Sequence, residues 1–319
     1  MNAWVQAIIN VFINPIFYRS TLNQSTPLIF AALGGVYSET TGVVNIALEG
    51  IMLMGAFGGV VGSYFTGNPW YGLALALLLG ISMAALHAWA SIRYAGDQII
   101  SGTAIILLAQ GITGFLLVEL FGKPGSTDLV RSIPLINLGS FEDVPFFGKM
   151  VGSLSPLVYI AFASVIFSWY LIYKTKLGLR MRSVGNNPEA ADTLGVNVYN
   201  IRYFGVLMSG VFAALGGAFL SIGELGQFTE NMSNGRGFIA LAAMIIGNWS
   251  PTGAMWAAIL FGAASAFNDQ LQSQGVLHLA TNTQYLFGMI PYILTLIVVG
   301  GFVGKSRAPS ADGIPYIKD

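Results

Sequence analysis

Cysteine is absent from this 319-residue chain, which excludes disulfides and thiolate chemistry and leaves the compartment open. Charge is scarce: Asp, Glu, Lys and Arg make up 9% of the residues, against roughly 25% in a soluble domain. The net charge is zero, so nothing electrostatic argues for a nucleic-acid partner. Histidine is limited to His87 and His278, too far apart for any metal-ligand spacing, and no metal site is expected. No cluster of His, Asp and Ser has the makings of a catalytic constellation, so the chain reads as non-enzymatic. The N-terminus lacks the charged region and small-residue cleavage site of a signal peptide.

Apolar sequence fills the space left by charge. Hydrophobic residues are 55% of the chain, more than a soluble fold of this size can bury. Val43–Phe65, Tyr71–Ile92, Gln98–Phe121, Leu154–Tyr173 and Tyr203–Glu224 approach or exceed the roughly 18–20 residues that cross a bilayer. Alternating strands of about ten residues, the mark of a barrel, are not seen. The expected fold is all-α: a polytopic helix bundle of about eight to ten membrane segments, forming a single domain over 1–319. The 40 glycines suit close helix contacts. Trp4–Tyr18 is apolar but interrupted by Gln6, Asn10 and Pro15, and spanning or lying in the interface are both open to it. A helix is expected over Ser25–Tyr37 and a last span over Tyr285–Val303. Phe238–Asn268 is broken at 248–253 into halves too short for ordinary spans.

Residues 122–153 and 174–202 form the two long loops. Placing 174–202 in the cytoplasm also puts Arg93 and the tail at 304–319 inside, with nine of the 14 Lys and Arg residues. Loop 122–153 is then extracytoplasmic. A weak repeat joins Ile46-Ala47-Leu48 to Ile239-Ala240-Leu241, and Pro69, Ala76 and Gly80 to Pro251, Ala258 and Gly262. The copies face opposite ways, the pattern of an inverted repeat with broken half-helices.

The stretch RMRSVGNNPEAADTLGVN, 180–197, is polar and carries helix punctuation of its own. Asn187 suits an N-cap, Pro188 the first helical position, and Glu189 the positive helix end. Ala190 and Ala191 favour helix, and Gly195 suits a left-handed stop. A helix of about two turns cannot stand alone, so it needs a surface: lipid headgroups, or a cytoplasmic partner with Arg180 and Arg182 as a basic flank. Anionic lipid is a second partner for that flank.

KLGLRMRSVGNNPEAADTLGVNV resembles the cytoplasmic coupling loop of ABC-importer permeases, with Glu189-Ala190-Ala191 and Gly195 on its EAA–glycine pattern. GGVYSETTGVVNIALEGIMLMGAF and DQIISGTAIILLAQGITGFL resemble the permeases of bacterial nucleoside importers, within the larger group that moves branched-chain amino acids and ribose. The tail APSADGIPYIKD is similar to that of the smaller of the two nucleoside permeases. The resemblance runs from about Pro27 to the end. It implies a multi-pass subunit of the bacterial plasma membrane with a cytoplasmic C-terminus. It also implies a second, non-identical permease, cytoplasmic ATPases and a lipid-anchored binding protein that delivers purine or pyrimidine nucleosides. ATP and Mg would sit on the ATPases, with no cofactor on this chain. Arg180, Arg182, Asn187, Pro188, Glu189, Ala190, Ala191 and Gly195 would then couple ATPase closure to the pore.

Polar residues within the apolar runs are the substrate-pathway candidates: Asn45, Glu49, Gln98, Ser101 and Asn248. A carboxylate such as Glu49 costs roughly 2.5–3.5 kcal/mol near the bilayer centre on insertion scales and should face inward. It either lines the path or caps a neighbouring broken helix. Asp97 fits an N-cap, and Asn248 and Ser250 sit in the break where backbone dipoles can meet a substrate. Glycines 300, 301 and 304 with Lys305 miss the P-loop spacing by one residue. A sugar or branched-chain amino acid permease is the alternative within the class. An ion-coupled carrier would want a relay of carboxylates, and Glu49 alone is a clear candidate.

Overall fold

A computed structural model describes residues 3–137, 144–273 and 307–318, with positions 139, 289 and 293. The expected last span at 285–303, His278 and the near-P-loop lie outside those stretches.

The first apolar run is two helices, α1 (Ala3–Ile13) and α2 (Pro15–Thr40). Asn14 divides them: its Oδ1 accepts from the Ile16 N–H at 3.0 Å, and Pro15 opens α2. Helix α2 therefore starts ten residues before the expected Ser25, because a cap and an N1 proline outweigh the polar residues that follow. Helix α3 (Leu48–Thr66) starts five residues later than expected, leaving 42–47 non-helical. Helix α4 (Pro69–Ala88) ends in a π-helical turn at Trp89–Arg93. Helix α5 (Gln98–Phe121) is capped by Asp97, whose Oδ1 accepts from the Ile99 and Ile100 N–H groups at 2.9 Å each.

The first long loop holds a two-residue antiparallel pair, β1 (Ile136–Asn137) with β2 (Ser153–Leu154), and the short helix α6 (Phe147–Val151). Its front half is pinned by the Thr127, Val130 and Ile133 N–H groups, which donate to Phe228, Gly226 and Ile222 carbonyls at 2.7–2.9 Å. Helix α7 (Pro156–Lys174) leads into α8 (Lys176–Asn186) and α9 (Pro188–Thr193). Helix α10 (Val198–Ala218) continues as a π-helical segment to Leu225. The broken segment is α11 (Arg236–Ile246) and α12 (Pro251–Ser273). Only α11 is a half-length piece; α12 has 23 residues, about 35 Å at helical rise.

Among the described residues, five helices are long and apolar enough to cross a membrane: α3, α4 with its π turn, α5, α7 and α10 with its extension. Helices α3 and α10 are enclosed, whereas α4, α5 and α7 leave most of their surface open. Small residues make the enclosure possible. A Cβ on Gly55 would lie 2.7 Å from the Ala214 Cα, so α3 and α10 touch backbone to backbone. Gly80 of α4 meets Ala214 and Gly210 meets Ala84, which sets α4 antiparallel to α10. Gly216 meets Pro27, and Gly34 meets Ser209, which sets α2 antiparallel to α10 as well. Helix α12 runs back along α2, bonded at one end by Trp249 Nε1 to Glu39 Oε2 (2.6 Å) and near the other by Gln24 Nε2 to Asp269 Oδ2 (3.1 Å). Pro69 and Pro251 thus open helices of opposite sense: α4 runs toward the face carrying α8 and α9, and α12 runs away from it.

Candidate functional site

Between α2 and α3 the chain is non-helical and largely buried, so its peptide groups need partners. Side chains supply them. Gln98 Oε1 accepts from the Val44 N–H at 2.7 Å. His87 Nε2 lies 3.1 Å from the Val44 carbonyl, and its Nδ1 lies 3.0 Å from Ser101 Oγ. A ring protonated on Nε2 satisfies both, donating to the carbonyl and accepting from the hydroxyl. Ser38 Oγ donates to the Val43 carbonyl at 2.6 Å, and Asn45 Nδ2 donates to Ser209 Oγ. Asn45 Oδ1 is buried with no hydrogen-bond partner among the described residues.

Glu49 completes this clamp. It stands in the first turn of α3, 6% exposed. Its Oε1 accepts from the Gly235 N–H at 2.8 Å and its Oε2 from the Gly237 N–H at 2.6 Å. Both donors belong to the start of α11, so one carboxylate serves the positive ends of two helices. Gly237 must lack a side chain: a Cβ there would sit 2.5 Å from the Glu49 Cα. Asn45, Glu49, Gln98 and Ser101 are therefore brought together around 44–49. Asn248 lies apart, in the α11–α12 turn with a φ of +53°, where its Oδ1 accepts from the Arg307 N–H at 3.0 Å. Sequence reasoning missed His87 and Ser209 as holders of the clamp. A histidine inside an apolar run was the available signal, since such a ring needs partners.

A second polar feature lies on the open flank of α5. Thr103, Gln110 and Gly114 fall on one side at helical spacing. Gln110 is exposed near the midpoint of the helix, and its side-chain amide has no hydrogen bond among the described residues. The Glu230 carboxylate stands 3.6 Å from where a Cβ on Gly114 would be. This flank was also missed; the signal was a lone amide in mid-run.

The third feature is the face formed by 174–202, which contains two helices where one was expected. Arg180 and Arg182 lie on α8. Thr175 Oγ1 accepts from the Gly178 N–H at 3.1 Å and caps that helix. Gly178 fits under the last carbonyls of α7, and Gly185 fits against the Thr40 carbonyl, where any side chain would collide with backbone. Helix α9 follows the sequence punctuation closely. Asn187 Oδ1 accepts from the Ala190 N–H at 3.0 Å, and Pro188 occupies the first position. Gly195 has a φ of +82°. Its N–H donates to Asp192 (2.8 Å), and the Val196 N–H donates to Ala191 (3.0 Å), the two bonds of a Schellman stop. Ala191 is buried, Glu189 and Ala190 are exposed, and Leu194 stands out at 84% exposure.

The tail laces this face to the bundle. The Ala311 N–H donates to the Gly185 carbonyl at 2.9 Å, and Arg202 Nη1 donates to the Ile314 carbonyl at 3.0 Å. Lys318 Nζ pairs with Asp192 Oδ1 at 3.0 Å, and the Tyr316 and Tyr199 rings meet at 5.7 Å. The Lys318 hydrogen bond holds Asp192 below its usual range. Asp312 lies beside Glu39, the carboxylate bonded to Trp249, and near the buried Arg202 guanidinium. Burial pushes the Asp312 carboxyl up to about 6, against the pull of the Glu39 hydrogen bond and of Arg202.

The family described as the branched-chain amino acid transport system permease component matches residues 17–299. The chain is 41% identical to the guanosine ABC transporter permease protein NupQ of Bacillus subtilis, covering 95% of this chain and 97% of that one. It is 40% identical to the nucleoside ABC transporter permease protein NupC of Lactococcus lactis, again over 95% and 97%. A putative glucose ABC transporter permease, TsgC13 of Haloferax volcanii, is 34% identical over 91% of this chain and 92% of its own length. The guanosine permease NupP and the nucleoside permease NupB, from the first two organisms, match at 26% and 21% identity. No solved structure matches the chain.

Proposed function

Because the chain belongs to the permease-component family of branched-chain amino acid transport systems, we propose that it is the membrane subunit of an ABC importer whose cargo is a nucleoside. It is a non-catalytic subunit; ATP is hydrolysed on a separate ATPase. The observation that carries the reading is α9: a two-turn helix, capped at both ends and followed by the exposed Leu194, on a chain matching nucleoside permeases over nearly its full length.

Leu194, Glu189 and Ala190 enter a groove on the cytoplasmic ATPase, with Arg180 and Arg182 beside them on α8. The 174–202 face and the tail are cytoplasmic, and the 122–153 loop is extracytoplasmic, as the Lys and Arg bias supports. Helices α2 and α12, long enough to cross, the half-length α11 and the segment at 285–303 bring the count of membrane segments to eight to ten. The opposite sense of α4 and α12 supports an inverted repeat. A second, non-identical permease covers the open flank of α5, as the presence of two dissimilar permeases in each of two organisms, NupQ and NupP in one and NupC and NupB in the other, supports. The substrate path runs along that flank past Gln110, since an amide left in hydrocarbon would cost several kcal/mol. A lipid-anchored binding protein delivers the nucleoside from outside. Glucose is the second reading, favoured by the TsgC13 match.

Radiolabelled guanosine uptake, with and without the gene, tests the assignment. Loss of uptake on deletion, with competition by nucleosides and none by glucose or leucine, is the expected result. Competition by glucose instead would transfer the cargo to the second reading.

A further inference from the structure

A cavity of about 360 Å³ opens where the end of α7, α8, the α11–α12 turn and the tail meet. Arg182, Asn186, Asn248 and Arg307 line it, with Tyr173 and Trp249 as its aromatic walls. The Arg182 guanidinium lies over the Tyr173 ring at 5.3 Å, and its Nε is buried with no hydrogen-bond partner among the described residues. Neither arginine is in an ion pair among those residues. The sequence from 274 to 306 holds no Asp or Glu to supply one. Two guanidinium groups with no ion-pair partner among the described residues, flanked by amides, form a donor set suited to a phosphate.

The cavity also lies at a particular depth. Trp169, Tyr170 and Tyr173 are exposed at the end of α7, and Lys174 lies 5.5 Å over the Trp169 ring. Exposed aromatics and a lysine closing an apolar helix mark the membrane–water boundary. The ligand best placed to enter is therefore one already held at headgroup level.

We propose that this cavity binds the phosphate of an anionic phospholipid headgroup and so ties α8, the α11–α12 turn and the tail to the membrane. Assigning that lipid to the inner leaflet rests on the cytoplasmic reading of this face. Inorganic phosphate and nucleoside monophosphates share the chemistry, and the test separates them from lipid.

The assembled importer is placed in nanodiscs of equal phosphatidylglycerol and phosphatidylcholine, and retained lipid is read by native mass spectrometry. An arginine near a charged membrane surface contributes about 1 kcal/mol, so Arg182→Gln and Arg307→Gln should each lower phosphatidylglycerol retention roughly fivefold, and about 30-fold together. Phosphatidylcholine and the variant Lys123→Gln, in the 122–153 loop, should be unaffected. Arg307 is exposed on the tail, so its variant keeps the test valid if Arg182→Gln folds poorly. Equal retention in wild type and Arg307→Gln overturns the site, as does displacement of the lipid by inorganic phosphate or guanosine monophosphate. Leaflet assignment is tested apart, by a single cysteine at Asn186 probed with an impermeant maleimide in intact cells. Labelling from outside refutes the cytoplasmic reading and leaves the nanodisc result standing.

Discussion

A single buried carboxylate, Glu49, organises the meeting of α3 and α11. Each of its oxygens accepts one N–H, so Glu49→Gln would turn an amide NH₂ toward a donor, and Glu49→Ala would leave two N–H groups bare. The cost of the alanine should be about 3 kcal/mol, read as a fall in the thermal midpoint of the purified importer. Glu49→Gln should fall between the alanine and wild type. Gln110 behaves differently because nothing among the described residues holds it. Gln110→Leu should leave stability unchanged and lower uptake about tenfold, the worth of one hydrogen bond to cargo; normal uptake in that variant would remove Gln110 from the path. At this scale the sequence was legible for polarity and silent on partners. Glu49, Asn45, Gln98 and Ser101 stand out because each is costly in an apolar run. That they close on 44–49 depends on Ser209 and on Gly235, far along the chain, and no spacing reveals such a pairing.

Helix α9 was the most legible element, because its caps are local: Asn187, Pro188 and Gly195 act through bonds to residues at most five away. Asn187→Ala should cost α9 about 1 kcal/mol, and Gly195→Val about 1–2 kcal/mol, since the strain is in the backbone and the space around Gly195 is open. Helix α8 was hidden, because its glycines, Gly178 and Gly185, look unhelical until α7 and α2 are seen to press on them. The start of α3 was misplaced for a similar reason: Val43–Ala47 is apolar enough for a span, yet side chains of α4 and α5 bond its backbone outside the helix. The tail gave a sequence likeness but no hint of its docking. Asp312 there makes docking pH-dependent. Its carboxyl is raised from an ordinary 3.8 to about 6 when docked, so the docked state is favoured by protonation. Docking should be firmest below about pH 4, weaken as pH rises toward 6, and level off above it. Burial in the docked state sets that rise, and the Glu39 hydrogen bond, the Gly313 backbone and the Arg202 guanidinium oppose it. A spin label on a cysteine at Ser310 should become more mobile across that range, and Asp312→Asn should flatten the change.

The whole molecule is an incomplete object by its own surface. Helices α3 and α10 are packed as a core, while α4, α5 and α7 turn apolar faces outward, with Gln110 set among them. Composition alone identified a membrane bundle; glycine contacts, unreadable singly, decide which helices are central. The α11–α12 break was legible from Pro251 and Asn248, but not that α12 recovers full length. On the proposed function, ATPase movement enters through α9 and emerges as nucleoside movement along the bundle. The most direct test measures ATP hydrolysis and guanosine uptake in the same proteoliposomes, for wild type and for Leu194→Asp. The expected result is uptake lowered at least about tenfold, the worth of one buried apolar anchor at an interface, with membrane assembly of the two permeases intact. Uptake and ATP use that stay coupled at wild-type levels in Leu194→Asp would contradict the claim.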